Sequence, residues 1–429
     1  MSITTKIAIA GLGTVGVGVV KILQAKTAEL GAKLGANISL VGVCARSSKD
    51  RGVDLSNVPF FTDPCEMIRA SRPDVFVELI GGSEGAALDA VSLALQSGVH
   101  VVTANKALLA IHGAELARMA EESDVGLRFE AAVAGGIPVI KALQEGLVGN
   151  QIIRVAGILN GTCNYILSAM DKTGDDFQVM LNKAQELGYA EADPTFDVDG
   201  IDAAHKIAIL ASCAFGTIPR FDHVDIEGIR DVTSDDISFA RELGYRLKLL
   251  GVARRNPEGL EQRVHLAMVP DHEPLANVDG VFNAVMLDAE PVGRVMIDGR
   301  GAGEGPTASA VVADIADIIR GMNGPSFGRP VQELEDVGAA PASARMGAYY
   351  IRLSVKDEPG VLAGITSELA DKSVSLDIVL QKKRDPGANV PLILVTHDTS
   401  EGDLRAALDA IAKQSVVAET PVVIRIFQS

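Results

Sequence analysis

Between positions 184 and 206 the chain reads AQELGYAEADPTFDVDGIDAAHK, and five carboxylates, Glu191, Asp193, Asp197, Asp199 and Asp202, crowd around the turn-forming Gly188, Pro194 and Gly200. Acids gathered on a Gly/Pro-rich loop suit recognition of a cationic group, because loops on a rigid scaffold are where polar recognition is built. The run then enters a helical pattern carrying Asp202 and Lys206. Four positions apart, carboxylate and ammonium share one helix face and interact directly. Alone, such a pair is more often a solvated ion pair; beside the acidic loop it becomes a candidate for holding a substrate and moving a proton. His205, turned about 100° from Lys206 around the helix, need not face the same site.

A second constellation, Gly11-Leu12-Gly13-Thr14-Val15-Gly16, fits G-x-G-x-x-G directly after a strand-like run and at the start of a helical one. In that context the glycines allow a tight turn and close backbone approach, and the helix N-terminus offers unpaired N–H groups to a pyrophosphate. The alternative is a glycine-rich turn with no ligand. After the second strand an NAD enzyme usually places an acid for the ribose hydroxyls, whereas this chain has Cys44-Ala45-Arg46-Ser47-Ser48-Lys49. A cation and two hydroxyls suit a ribose phosphate, which favours NADP over NAD, with acceptance of both still open. Arg46 could equally be a surface residue. None of Cys44, Cys65, Cys163 and Cys213 lies in a motif for a catalytic thiol, and no Walker loop or H-E-x-x-H occurs.

The elements that must position these residues alternate β-branched runs with helical patterns, the mark of a parallel α/β sheet. Strands are expected at 6–10, 38–44, 75–80, 99–103 and 127–131, and helices at 14–24 and 88–96. From about Gly136 the texture turns to longer helical patterns, such as Phe177, Met180, Leu181, Ala184 and Leu187, so a second, α+β domain is expected there. A Gly/Pro/Ala-rich, acidic stretch near 324–346 reads as a linker. Beyond it, Tyr349, Ile351, Leu353 and Val355 alternate as a strand, and Val361, Leu362, Ile365 and Leu369 mark a helix face. Two β-rich runs flank Asp385-Pro386-Gly387-Ala388-Asn389, and a helix with Leu404, Leu408 and Ile411 precedes a strand at 422–427. That order is βαββαβ, a ferredoxin-like arrangement.

Composition bounds the partners. The 429 residues hold 39 Lys+Arg against 56 Asp+Glu, a net charge of −17, which argues against nucleic-acid or anionic-membrane binding. The longest basic block, Lys382-Lys383-Arg384, is expected in a solvated turn. Hydrophobic residues make up 47%, yet no run of about 18 apolar residues could span a bilayer. The first residues lack a secretory pattern, and four scattered cysteines form neither a disulfide framework nor a metal-ligand spacing. A cytoplasmic setting is expected.

The acidic segment resembles the signature of homoserine dehydrogenase, A-x-x-x-G through D-P-x-x-D to G-x-D-x-x-x-K, at Ala184, Gly188, Asp193, Pro194, Asp197, Gly200, Asp202 and Lys206. Gly157-Ile158-Leu159-Asn160-Gly161-Thr162, Thr103-Ala104-Asn105-Lys106 and Ala134-Gly135-Gly136-Ile137-Pro138 match as well, and the resemblance covers residues 5–325. It implies reversible NAD(P)H-dependent reduction of L-aspartate 4-semialdehyde to L-homoserine, in threonine, methionine and isoleucine biosynthesis. Lys206 would give the proton, with Lys106 stabilising developing charge or assisting. Glu191 and Asp202 would bind the substrate's ammonium, with Asp197, Gly188 and Tyr189 also on the substrate. Gly11, Gly13, Thr14, Val15, Gly16, Arg46, Lys106, Gly188 and Gly303 would contact the cofactor. Glu130 and the carbonyls of Val133, Gly135 and Ile137 would hold Na⁺ or K⁺, as oxygen ligands suit a hard cation. Pro306, in the second glycine-rich loop Gly301-Ala302-Gly303-Glu304-Gly305-Pro306, is expected as a first helical residue, its helix returning to the nucleotide domain.

The C-terminal unit resembles an ACT domain through Asp357-Glu358-Pro359-Gly360-Val361-Leu362. That implies a homo-oligomer, a dimer or a tetramer, and allosteric inhibition by threonine around Asp357, Pro359, Gly360, Val361 and Leu362, or assembly alone. The domains expected are a Rossmann-type doubly wound sheet (1–135 with 302–325), a catalytic and dimerisation domain (136–301), a linker (326–348) and the ACT unit (349–429). Two alternatives stand beside this reading: a reductase of another small amino-acid aldehyde, and a non-catalytic sensor of NADP and an amino acid.

Overall fold

The computed structural model describes residues 4–382, 385 and 387–428. Lys383, Arg384 and Pro386 lie outside the described residues, and with them most of the basic block and part of the turn expected before residue 389.

Six parallel strands form the first sheet: β1 (Thr4–Ala10), β2 (Asn37–Cys44), β3 (Phe60–Phe61), β4 (Val75–Glu78), β5 (His100–Thr103) and β6 (Leu127–Arg128), in the order β3-β2-β1-β4-β5-β6. This is the Rossmann order, which reverses direction beside β1 and leaves a crevice at the strands' C-terminal ends. Helices α1 (Thr14–Leu34), α2 (Pro64–Ser71), α3 (Ala86–Gln96) and α4 (Lys106–Glu122) connect the strands. Side-chain alternation assigns the two faces. Ile7, Ile9, Val75 and Val77 pack with Val19, Val20 and Leu23 of α1, while Ala8, Ala10 and Phe76 face the core shared with α3 and α4.

Three elements differ from expectation. β4 stops at Glu78 because its side-chain Oε1 accepts the N–H groups of Ile80 (2.7 Å) and Gly81 (3.0 Å), turning the chain. β6 ends at Arg128, after which Glu130–Ala132 forms a 3₁₀ turn with the Glu130 N–H donating to Asp314 Oδ2 at 2.8 Å. α1 runs ten residues beyond position 24 to Leu34, with a non-helical Lys26 inside it.

The second domain contains the short helices α5 (Val139–Lys141) and α8 (Thr195–Val198), and the longer α6 (Gly161–Thr173), α7 (Phe177–Glu186), α9 (Ile201–Phe215) and α10 (Ser234–Glu242). They pack on β7 (Gln151–Ile158), β9 (Tyr245–Asn256), β10 (Gly259–Pro270), β11 (Phe282–Glu290) and β12 (Gly293–Arg300), with β8 (Asp225–Ile226) beside β10. α7 buries Met180, Leu181 and Ala184, whereas Leu187, the cap residue past its end, is 54% exposed. α11 (Glu304–Ile319) returns to the first domain and packs Ala308, Val311 and Ile315 into the core under α1. It begins two residues before Pro306, which sits in the first turn, where its missing N–H costs nothing.

The segment after α11 carries 3₁₀ turns at Val331–Glu333 and Ala342–Ala344 and lies against both the first and the second domain. The Ile218 N–H donates to Glu335 O, the Leu260 N–H donates to Gly338 O, and the ring of Phe327 lies 5.2 Å from that of Phe129.

The last unit runs β13 (Met346–Gly347), β14 (Tyr349–Lys356), α12 (Val361–Asp371), β15 (Leu376–Leu380), β16 (Asn389–Thr396), β17 (Thr399–Ser400), α13 (Glu401–Ile411) and β18 (Val422–Ile426). Apart from the two-residue β13 and β17, this is βαββαβ, with sheet order β18-β14-β16-β15. Tyr349, Ile351, Leu353 and Val355 meet Ile365, Leu369, Leu404 and Ile411 in one core. Leu362 departs from the expected face: Val361, Ile365 and Leu369 repeat every fourth residue, and Leu362, one step round the helix, is 41% exposed. The unit is not separate in its backbone pairing. β18 pairs in parallel with β10 at Ala267↔Arg425 and Met268↔Ile426, so both domains share one ten-stranded sheet, β12-β11-β7-β9-β10-β18-β14-β16-β15, with β8 alongside.

Candidate active site

Asp202 lies in the first turn of α9, 6% exposed, and Lys206 one turn later, 9% exposed. Lys206 Nζ donates to Asp202 Oδ2 at 2.7 Å and to the carbonyl of Leu159 at 2.7 Å. Lys106 comes from another domain, at the start of α4, and its Nζ is 3.3 Å from Asp202 Oδ1 and 5.5 Å from the centre of the Phe196 ring. Burial pushes the Asp202 carboxyl up, but Lys206, Lys106 and the hydrogen bonds outweigh it and bring it down to about 2. The pair expected from sequence is therefore a triad, one carboxylate holding two ammonium groups.

Asn160 sets this geometry. Its Oδ1 accepts the Cys163 N–H at 2.8 Å and caps α6, while its Nδ2 donates to Asp197 Oδ1 (2.7 Å) and Asp202 Oδ2 (2.9 Å). Burial raises the Asp197 carboxyl despite that bond. Thr162 Oγ1 donates toward the carbonyl of Tyr189 (2.7 Å) and Asp197 Oδ2 (3.2 Å), tying the acidic loop to α6. Lys106 is held from behind: Thr103 Oγ1 donates to the buried Glu78 at 2.5 Å and accepts the Asn105 N–H at 2.9 Å, and Asn105 caps α4 through the Leu108 N–H. Sequence reading passed over Glu78, Asn160 and Thr162 as site residues. Asn160 and Thr162 stood in a quoted motif; a carboxylate four strands into an apolar sheet was the signal for Glu78.

The five acids separate. Glu191, Asp197 and Asp202 line a cleft of about 590 Å³ with Lys106, Lys206, Gly188 and Tyr189. Asp193 instead accepts the Thr195 N–H at 3.1 Å, and Asp199 pairs with Arg230. His205 is buried, its ring stacked 4.2 Å from that of Phe221, and burial with the nearby Lys106 lowers it to about 4, so it is neutral. Cys163 is buried, which raises its thiol well above the ordinary range.

The same cleft reaches the dinucleotide motif through Val15 and the second glycine loop through Gly301 and Gly303. A side chain at Gly11 (φ +100°) would meet Leu79 O at 2.2 Å and one at Gly16 would meet Gly11 O at 2.0 Å, whereas nothing lies within 4 Å of a Cβ at Gly13. Two glycines are thus closed by the protein's own backbone and the middle one opens outward. With Thr14 starting α1 and no acid in its first turn, this cradle fits a pyrophosphate. Arg46 is exposed past the end of β2. Arg51, not singled out from sequence, fastens that loop by donating to the carbonyls of Leu12 (3.0 Å), Lys49 (2.7 Å) and Ser47 (2.6 Å).

For the cation expectation, the carbonyls of Val133 and Gly135 accept no hydrogen bond from any described residue, as oxygens free for a hard cation would. Ile137 O accepts the Val139 N–H at 2.8 Å, and the Glu130 carboxylate caps α5 through Ile140 and Lys141 N–H groups, both at 2.9 Å. Loop carbonyls fit the ion; the Glu130 side chain is already engaged in holding the loop. Burial, with Asp314 nearby, raises the Glu130 carboxyl to about 7. In the ACT unit, Gly360 (φ +94°) turns the chain into α12, and Asp357 Oδ2 accepts the Asp385 N–H at 2.7 Å.

A Rossmann sheet whose glycine turn opens onto the cleft of Lys106 and Lys206, with an ACT-type sheet joined to it, defines a nicotinamide-dinucleotide oxidoreductase with an added ACT-type unit. Family profiles agree: homoserine dehydrogenase matches residues 138–316, homoserine dehydrogenase NAD binding domain residues 11–130, and ACT domain residues 349–415. A homoserine dehydrogenase of Pseudomonas aeruginosa is 45% identical, over 99% of both chains. The crystal structure of one from Thiobacillus denitrificans superposes with a TM-score of 0.94 at 44% identity, covering 99% of this chain and 98% of that one. A hyperthermophilic archaeal homoserine dehydrogenase, solved in complex with NADPH, gives 0.64 at 27% identity over 76% of this chain and all of that one. The chain belongs to the homoserine dehydrogenase family and is an oxidoreductase. No helix among the described residues is long and apolar enough to cross a membrane.

Proposed function

We propose that the chain reduces L-aspartate 4-semialdehyde to L-homoserine, reversibly, with Lys206 as the proton donor. The convergence of Lys206 and Lys106 on Asp202, in a cleft shared with the dinucleotide cradle, carries this reading. The nicotinamide, when bound, supplies hydride to the aldehyde carbon. Lys206, held against Asp202 and Leu159 O, delivers its proton to the carbonyl oxygen as that oxygen gains charge, and Lys106 stabilises the charge. Glu191 and Asp202 receive the substrate's ammonium, Asp202 through the oxygen that Lys106 yields, with Asp197, Gly188 and Tyr189 closing that side. The chain acts as a domain of residues 1–135 with 302–325, a catalytic domain of 136–301, a linker of 326–348 and an ACT unit of 349–429.

NADP is the preferred cofactor and NAD an accepted one. The exposed Arg46 and the serines beside it, on a loop fastened by Arg51, support a ribose phosphate. Gly11, Gly13, Thr14, Val15 and Gly16 hold the pyrophosphate, and Lys106, Gly188 and Gly303 complete the contact. Na⁺ or K⁺ binds the carbonyls of Val133, Gly135 and Ile137, with Glu130 supporting the loop. The ACT unit takes threonine at Asp357, Pro359, Gly360, Val361 and Leu362 in a cytoplasmic homo-oligomer, a dimer or a tetramer.

Loss of NADPH absorbance on adding aspartate semialdehyde, with and without threonine, tests this. Rapid turnover that Lys206→Met lowers by about 10²–10⁴ is expected, since a positioned general acid contributes about that much. No turnover by a folded wild type supplied with a monovalent cation would turn the reading toward a sensor or another aldehyde. Arg46→Ala should lower the NADP/NAD ratio of kcat/KM; an unchanged ratio refutes the preference.

A further inference from the structure

β4 is apolar for three residues, Val75, Phe76 and Val77, and then ends in Glu78, which is 0% exposed. No cation among the described residues pairs with it, and its oxygens are shared instead between two stretches of chain. Oε1 accepts the Ile80 and Gly81 N–H groups, and Oε2 accepts the Thr103 hydroxyl, whose own oxygen accepts the Asn105 N–H. A buried carboxylate without a cation is costly to keep, and packing alone is served by an apolar residue, as at the three positions before it. Hydrogen bonds to a charged acceptor are strong and directional, so what Glu78 supplies is a fixed placement of the groups it holds.

Both groups border the crevice. β1 and β4 are neighbours where the strand order reverses, the place at which such sheets take a ligand. On one side, Leu79 donates its N–H to Ala10 O at 2.7 Å, and its carbonyl stands 2.2 Å from where a Cβ at Gly11 would be, so the turn after β4 is a wall of the dinucleotide turn. On the other side, Asn105 caps α4 and Lys106 is its first residue. Asn105 adds a second tie, donating from Nδ2 to Gly82 O at 2.6 Å.

We propose that Glu78 is a positioning residue for the reduction: it binds the turn after β4 and the Lys106 turn into one lip, and so fixes where Lys106 stands relative to the bound cofactor. The proposal rests on Lys106 serving the reaction proposed above. Glu78 itself is sealed from the cleft and acts through Thr103 and Asn105. Ending a strand needs only Oε1; Oε2 reaches across to β5, and that bond is the one a strand end does not require.

Thr103→Val keeps the side chain's shape and removes the hydroxyl that joins the two halves. With aspartate semialdehyde and NADPH, its kcat should fall about tenfold or more while KM for NADPH stays within about twofold, because misplacing a group by about 1 Å costs up to about 10²-fold. Thr103→Ser, which keeps the hydroxyl, should recover most of the rate. In a Lys106→Met background the same Thr103→Val should cost less than about twofold more, since residues that act through one another are not additive; a substitution that merely loosens the fold costs the same in both backgrounds. Should Thr103→Val not fold, Thr103→Cys, whose thiol is a weak donor and acceptor, should show the same pattern with a loss of about threefold or more. Hydrogen exchange read by mass spectrometry needs no turnover: Thr103→Val should speed exchange about tenfold or more in peptides holding Ile80 and Gly81 as well as in those holding Asn105, while β9 keeps its rate. A wild type without turnover thus counts against the proposed reaction alone, and exchange then decides whether the lip exists. Exchange at Ile80 and Gly81 that ignores the variant, an unchanged kcat, or a full further loss in the absence of Lys106 overturns the proposal, and Glu78 then only ends its strand.

Discussion

Asp202 serves two lysines at once, and its carboxylate is what keeps two like charges beside each other in a buried cleft. Asp202→Asn should therefore do more than weaken substrate binding. With the proton donor no longer held by its carboxylate, kcat should fall about 10²-fold or more. Pre-steady-state rates check this. His205 gives a stability prediction with a definite sign. Its folded value, about 4, lies below the ordinary 6.5, so its contribution is present above pH 6.5 and is lost as pH falls toward 4, where the unfolded chain takes up a proton and the folded one does not. His205→Gln should flatten that decline by on the order of 1–2 kcal/mol in urea titrations at pH 4.5 and 7. The contact between Asp202 and Lys206 was legible in the sequence because one helical turn fixes their separation. Lys106 came only through a family motif, since no local spacing tells that α4 and α9 will meet. Asp193 and Asp199 looked like Asp197, and differ only in which way a tight turn aims them.

At the scale of elements, the glycine turn after β1 makes two predictions that pull apart. Gly13 has open space around it and an ordinary φ of −79°, so Gly13→Ala should fold with a near wild-type Tm yet lose NADP binding about tenfold or more, because the methyl occupies the pyrophosphate's approach. Gly11 has φ +100° and a carbonyl 2.2 Å from any added Cβ, so Gly11→Ala should cost about 1–3 kcal/mol of stability. Thermal melts with and without NADP separate the two. The strands were legible because alternating or continuous apolar runs follow from which faces are buried. Their ends were not: β4 stops where its own last side chain, Glu78, turns back to capture the Ile80 N–H, and β6 is followed by a turn whose Glu130 N–H goes to Asp314, and neither a side chain turned on its own backbone nor one from distant sequence leaves a periodic trace.

Across the whole molecule, Asp236 links two domains. It forms the capping box of α10 with Thr233, is 1% exposed, and accepts Arg352 Nε of β14 at 2.7 Å. Arg352→Met leaves that carboxylate buried without its cation, which costs about 3–5 kcal/mol. Calorimetry should then resolve the ACT unit as an earlier transition, where wild type melts with more cooperativity. The sequence announced the ACT unit as a compact βαββαβ and was right about its internal order. It could not announce that β18 would face two ways, pairing β14 on one side and β10 on the other, because either pairing satisfies the same short apolar run.

That double pairing has a consequence during synthesis. β10 emerges from the ribosome well before β18, and every residue from β11 through α13 is made in between. At about 5–20 residues per second, the growing chain carries β10 with the Ala267–Met268 end of one rim unpaired, beyond the stretch that β8 covers, for roughly ten seconds or more. An open rim is a template for a stray strand. Arg263, β8 and the segment that pairs with Leu260 near Ala339 put charge and cover along that rim, so the nascent enzyme has its own guard while it waits for its neighbour.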